Sequence, residues 1–171
     1  MKKILSAAVM AALLLSVSAG AMAATGLGSV TEVSNTAATA DKAGSVSVDT
    51  TMCAVELDDE GKIVSISFDV VQSSAAYDAT GAVSGEETAE PLSKVELMEG
   101  YGMKKASSIG KEWYEQMTAL ENWCIGKTVE EVLATPLDES GKATDADLVS
   151  GCTVHISAQL KALEKAAANA K

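Results

Sequence analysis

The run Asp147-Leu148-Val149-Ser150-Gly151-Cys152-Thr153-Val154-His155-Ile156-Ser157 concentrates reactive side chains near the end of this chain. It stands directly ahead of a segment whose apolar spacing predicts the last helix. Ser150, Gly151 and Thr153 are therefore expected at or near that helix's first backbone amides. Four amides at a helix start lack intrahelical partners, and the helix dipole adds partial positive charge there. Phosphate binds readily at such a place, even without arginine. Gly151 lets the backbone approach a ligand closely. The Thr153 hydroxyl can hydrogen-bond a phosphate or be esterified by one. The same residue types also serve as an ordinary loop and helix cap.

Other pairings carry less. Cys152-x-x-His155 has a spacing compatible with zinc, but two ligands make no site and no C-x-x-C completes it, so no metal is expected. His155, the sole histidine, reads as an exposed helix-start residue. Ser150 or Ser157 with His155 and an aspartate makes a hydrolase triad only on paper, because nothing in the spacing favours it. Gly126-Lys127-Thr128 ends like a P-loop, yet Glu121 stands where that motif requires its first glycine. No catalytic residue is assigned.

The elements that must position Thr153 follow from periodicity. Residues 24–43 are small and polar, and read as a flexible lead-in with a first strand around 28–33. Residues 44–72 read as two strands joined by a turn at Asp59-Glu60-Gly61. Val46, Val48, Cys53, Val55 and Leu57 alternate along the first, with a bulge expected at Thr50-Thr51. Ile63, Phe68 and Val70, or Val64 and Ile66, mark the second, so neither of its faces is purely polar. Residues 73–93 look like a loop or small hairpin turning at Thr80-Gly81. Ile109, Trp113, Met117, Leu120 and Cys124 lie on one face of a helix predicted over 107–124 and closed by Gly126. Thr128-Val129-Glu130-Glu131 is a capping box for a short helix to about Ala134. Residues 156–170 place Ile156, Leu160, Leu163 and Ala167 on one face of the final helix. Strands first and helices after predict an α+β fold, an antiparallel β-sheet with packed helices.

Composition narrows the partners. The 171 residues carry a net charge of −11, and all 13 basic residues are lysine. An acidic, arginine-free surface repels nucleic acid and anionic lipid and offers no bidentate forks for phosphate. Lys2 and Lys3, an apolar stretch from Ile4 to Val17 and Ala21-Met22-Ala23 make a signal peptide over 1–23, too short for a transmembrane helix. The expected product is exported to the periplasm, cell surface or extracellular space, with no membrane insertion after signal cleavage. Cys53, Cys124 and Cys152 allow at most one internal disulfide, and the sequence does not choose the pair.

With these elements in place, Asp147 to Thr153 resembles the flavinylation motif of the FMN-binding domain family, D-x-x-S-G-A-T, whose threonine is joined to FMN through a phosphoester. Asp147, Ser150, Gly151 and Thr153 occupy the expected places, and Cys152 stands where the family has alanine. VDTTMCAVELDDEGKIVSISFDVVQ is similar to the family's opening hairpin. The resemblance implies an FMN-binding-domain-like fold over 44–171, with covalent FMN on Thr153 and Asp147, Ser150, Gly151 and Cys152 around it. It also implies a flavin transferase as partner and a membrane or extracellular redox donor and acceptor. Such a protein is an electron carrier rather than a complete enzyme. Trp113, Tyr114, Trp123 and Tyr101 are candidates to stack on the flavin ring, although Trp113 lies on the apolar stripe and is expected in the core. The alternative is an exported binding or interaction module that keeps this scaffold without flavin.

Overall fold

The computed structural model describes residues 23–84 and 90–171. The signal segment expected over 1–23 lies outside them except for residue 23, as do residues 85–89 of the expected 73–93 loop. Four strands, β1 (Ala24–Thr36), β2 (Gly44–Leu57), β3 (Ile63–Tyr77) and β4 (Val83–Ser84), form one antiparallel sheet in sequence order. Among the described residues five α-helices follow, α1 (Lys94–Leu97), α2 (Trp113–Cys124), α3 (Val129–Leu133), α4 (Ala146–Val149) and α5 (Ser157–Ala168), with two 3-10 turns between α1 and α2. The class is α+β.

The β2–β3 hairpin turns where the sequence indicates. Asp58 accepts from Glu60 and Lys62 amides, and Gly61 takes the left-handed conformation (φ +75°). The bulge lies elsewhere than expected. Thr50 and Thr51 pair regularly with Val71 and Val70, whereas the register shifts at Glu56/Leu57. Leu57 opposes Ile63 and Glu56 opposes Ser65, so Val64 is the extra residue. That one insertion turns both Ile63 and the set Ile66, Phe68, Val70 into the core. It explains why β3 shows no single apolar face in sequence. Because β2 stays regular, Val46 falls on the face opposite to Cys53 and Val55, and is 37% exposed.

The strand expected around 28–33 is present and longer than expected: β1 pairs with β2 from Ala24 to Thr36, so most of the lead-in expected to be flexible over 24–43 is strand. Its inward positions carry glycine where a sequence pattern looks for apolar side chains. A Cβ on Gly26 would stand 1.9 Å from the Ala166 carbonyl oxygen, and one on Gly28 would stand 2.2 Å from that of Ala162. Helix α5 therefore rests directly on the β1 backbone. It also covers that sheet edge: Lys165 Nζ donates to the Ser29 carbonyl (2.8 Å) and Asn169 to that of Leu27 (3.1 Å).

Beneath the sheet, Phe68, Ile63, Met117, Leu120, Ile156 and Leu163 are fully buried. Each such side chain contributes about 1.5–3 kcal/mol by leaving water. Helix α2 begins at Trp113 rather than 107, because Gly110 takes φ +65° and the Glu112 N–H donates to Glu115 Oε2 (2.8 Å). Gly126 (φ +78°) follows its end, and the Thr128–Glu131 capping box opens α3. In α5, Ala166 rather than Ala167 completes the buried face. The three cysteines are buried, unpaired thiols. Burial pushes Cys53 and Cys124 up to about 12, and raises Cys152.

Candidate functional site

Thr153 sits in an extended link between α4 and α5. This link corrects the expected layout, in which residues 147–153 led straight into the last helix. Asp145 caps α4 by accepting from Asp147 and Leu148 amides (3.1 Å each). The chain then turns, with Gly151 and Cys152 amides both donating to the Leu148 carbonyl (3.0 and 2.8 Å). Residue 155 next pairs with Lys142, and the Ile156 N–H donates to the Gly141 carbonyl (2.9 Å). Helix α5 starts only at Ser157. Its N-cap, Ile156, offers no side-chain acceptor, and Leu160 is the first residue to return a bond, to the Ile156 carbonyl (2.9 Å). The amides of Ser157, Ala158 and Gln159 are thus left for a ligand or water.

A cleft of about 640 Å³ opens beside this start. That lies within the roughly 300–1,000 Å³ of small-molecule sites. Thr153, Ser157, Ala158 and Gln159 form one wall, and Lys142 comes in from the neighbouring turn. The sheet supplies Glu32, Asp49, Thr51, Val70 and Gln72. Lys94, Tyr101, Met103 and Trp113 complete the lining together with residues 106–108, Val154 and His155. Polar acceptors, two lysines and an aromatic end therefore face one space.

The five residues of the motif separate in space. Thr153 alone lines the cleft. Its N–H (2.9 Å) and hydroxyl (3.2 Å) both donate to Oε1 of Gln116, a fully buried α2 residue. Gln116 is held in turn by donating to Ser107 Oγ (3.1 Å) and the Lys111 carbonyl (3.2 Å). Asp147 is exposed on α4, and Ser150 Oγ donates to the Asp147 carbonyl (2.8 Å). Gly151 is buried, and a Cβ there would stand 2.7 Å from Ala119 Cβ, so its bare face serves helix packing. Cys152 is 1% exposed and packs in the core, away from the cleft. A thiol in place of a methyl is thus a matter of interior packing.

The aromatic candidates also separate. Trp113 is 3% exposed yet contributes to the cleft wall, and Tyr101 lines it as well. Tyr101 OH donates to Gln72 Oε1 (3.1 Å), and Gln72 Nε2 donates to Asp49 (3.0 Å), which fixes the ring. Tyr114 instead donates to Glu99 (3.0 Å), and the Trp123 ring carries Lys127, 4.1 Å from its centroid. Sequence reasoning missed Gln116, Lys94 and Lys142. The signal for Gln116 was a polar residue on the stripe of Trp113, Met117 and Leu120.

The residues present fit a mononucleotide flavin. Free amides and Lys142 suit a phosphate, Glu32, Asp49 and Gln72 suit hydroxyl groups, and Trp113, Tyr101, Val70 and Met103 suit an aromatic ring. Among curated proteins, the chain is similar to a chlorophenol reductase of Desulfitobacterium hafniense, 36% identical over 125 residues, covering 57% of this chain. The chain spans only 37% of that relative's length. No family model and no solved structure matches it.

Proposed function

We propose that this chain is an exported redox module that carries FMN as a phosphoester on Thr153 and passes electrons between other proteins. The observation that carries this reading is the Thr153 hydroxyl in a cleft shared with the uncapped start of α5. The resemblance of Asp147 to Thr153 to the flavinylation motif supports it, as does similarity to a protein named a reductase.

Each part of the chain has a task in this reading. FMN, when bound, supplies one- and two-electron chemistry. Gln116 holds the Thr153 backbone and hydroxyl at the cleft wall, so the oxygen to be esterified is presented in one orientation. The Ser157 and Ala158 amides, with the α5 dipole and Lys142, offset phosphate charge. Val70, Met103 and Trp113 exclude water from one end. A flavin transferase is the partner that forms the phosphoester: the Thr153 hydroxyl donates to Gln116 Oε1, an amide oxygen that orients it without taking its proton. Export through the 1–23 signal brings the protein to the compartment where such a transferase works. Among the described residues no helix is long and apolar enough to cross a membrane.

Co-expression with a flavin transferase and purification under denaturing conditions tests this directly. A yellow protein whose visible absorption survives denaturation supports the tether. A colourless protein under the same conditions favours the second reading, a binding module on this scaffold without flavin. One observation favours that alternative: the chain has no arginine, so the cleft has no bidentate fork to hold a phosphate.

A further inference from the structure

Lys94 lies where the cleft is most aromatic. Its ammonium stands 4.8 Å from the Tyr101 ring centroid and 5.2 Å from that of Trp113, and all three residues line the cleft with Thr153. The backbone that delivers it is fixed. Ser93 is buried, forms a bridge with Val71 of β3 and caps α1 in a reciprocal pair with Glu96. The next amide, of Val95, donates to Asp69 on β3 (3.1 Å). Tyr101 is fixed independently through Gln72 and Asp49. A lysine on a free surface would sample many rotamers in water. This one is held between two ring faces by cation–π attraction.

We propose that Lys94 sets the charge preference of the cleft, favouring a bound ring system when that ring carries negative charge. The inference rests on the flavin reading. Adding two electrons and one proton to an oxidised flavin ring leaves one extra negative charge on it. An ammonium on the cleft wall stabilises that product over the neutral oxidised ring, and partial exclusion of water strengthens the effect. Lys94 is thus a positioning and tuning residue rather than a catalytic one. It raises the reduction potential of the tethered group without touching the phosphoester.

The test compares wild type, Lys94→Met, Lys94→Gln and Lys94→Arg, each flavinylated by co-expressed transferase, with exposed Lys161→Met as control. Intact mass first confirms one flavin per chain. The potential is then read during dithionite reduction against indicator dyes, with dithionite supplying the electrons and solvent the proton. Lys94→Met and Lys94→Gln are expected to lose about tenfold in the preference for reduced over oxidised flavin. For a two-electron couple that is a fall of about 30 mV. Lys94→Arg and Lys161→Met are expected to hold the wild-type value. A second readout needs no flavin: in Thr153→Ala protein, ring currents should move the Lys94 ε-methylene proton resonances upfield. Unchanged potentials in flavinylated Lys94→Met and Lys94→Gln, or unshifted Lys94 protons, overturn the role of Lys94. Wild-type protein without flavin overturns the parent reading instead.

Discussion

Gln116 Oε1 accepts two hydrogen bonds from Thr153, one from its backbone N–H (2.9 Å) and one from its hydroxyl (3.2 Å), across 37 positions of sequence. This double bond of contacts ties the α4–α5 link to α2. The amide is fully buried, and its own N–H₂ group is spent on Ser107 and Lys111. One side chain therefore satisfies two segments that meet at the cleft.

Gln116→Leu keeps the volume but strands the Thr153 N–H and the Lys111 carbonyl. A buried polar group left without a partner costs about 1–3 kcal/mol. Urea unfolding should show a lower midpoint with an unchanged slope, and flavin attachment should slow under limiting transferase. Unaltered stability would mean that Gln116 does not hold Thr153 in solution.

The glycines of β1 make a sharper prediction. In Gly28→Ala the new Cβ would meet the Ala162 carbonyl oxygen at 2.2 Å and the Ala166 nitrogen at 2.4 Å. Both are backbone atoms, so no rotamer change relieves the clash. Overpacking of this kind costs about 1–3 kcal/mol or more. Gly100→Ala, which meets nothing within 4 Å, should stay within about 0.5 kcal/mol of wild type. Thermal melts of the pair decide whether α5 lies on the β1 backbone.

The buried thiols predict alkaline instability. Folded Cys53 and Cys124 sit near 12, against about 9 for an exposed thiol. A group whose folded value is raised contributes stability that is complete below the unfolded value and lost as pH climbs through the folded one. Stability should therefore fall between about pH 9 and 12, beyond what lysine and tyrosine titration causes. The double variant Cys53→Ala/Cys124→Ala should show a shallower decline. Native protein at pH 8 should also resist iodoacetamide at all three cysteines until denatured.

How far the sequence could be read depended on where the signal lived. The β2–β3 turn and the α3 cap were legible because Asp58, Gly61, Thr128 and Glu131 act on neighbours a few residues away. The face of α2 was legible because Trp113, Met117, Leu120 and Cys124 repeat at helical spacing. Only the middle of β1, around 28–33, was legible; its full extent was hidden because its contact with α5 is made through Gly26 and Gly28, where the absence of a side chain is what permits the packing. The bulge at Val64 was hidden because two apolar sets of opposite parity had no partner strand to fix their register. At the site, local motif spacing pointed to Thr153, which lines the cleft. It could not show that Ser150 and Gly151 serve the α4 turn, nor that Gln116, Lys94 and Lys142 arrive from elsewhere in the fold.

The most direct measurement is intact-mass and peptide mapping of wild type and Thr153→Ala after co-expression with a flavin transferase. One FMN phosphoester per wild-type chain, carried on the peptide containing Thr153 and absent from Thr153→Ala, is the predicted result. An unmodified wild-type mass, or flavin retained by Thr153→Ala on another residue, would contradict the account.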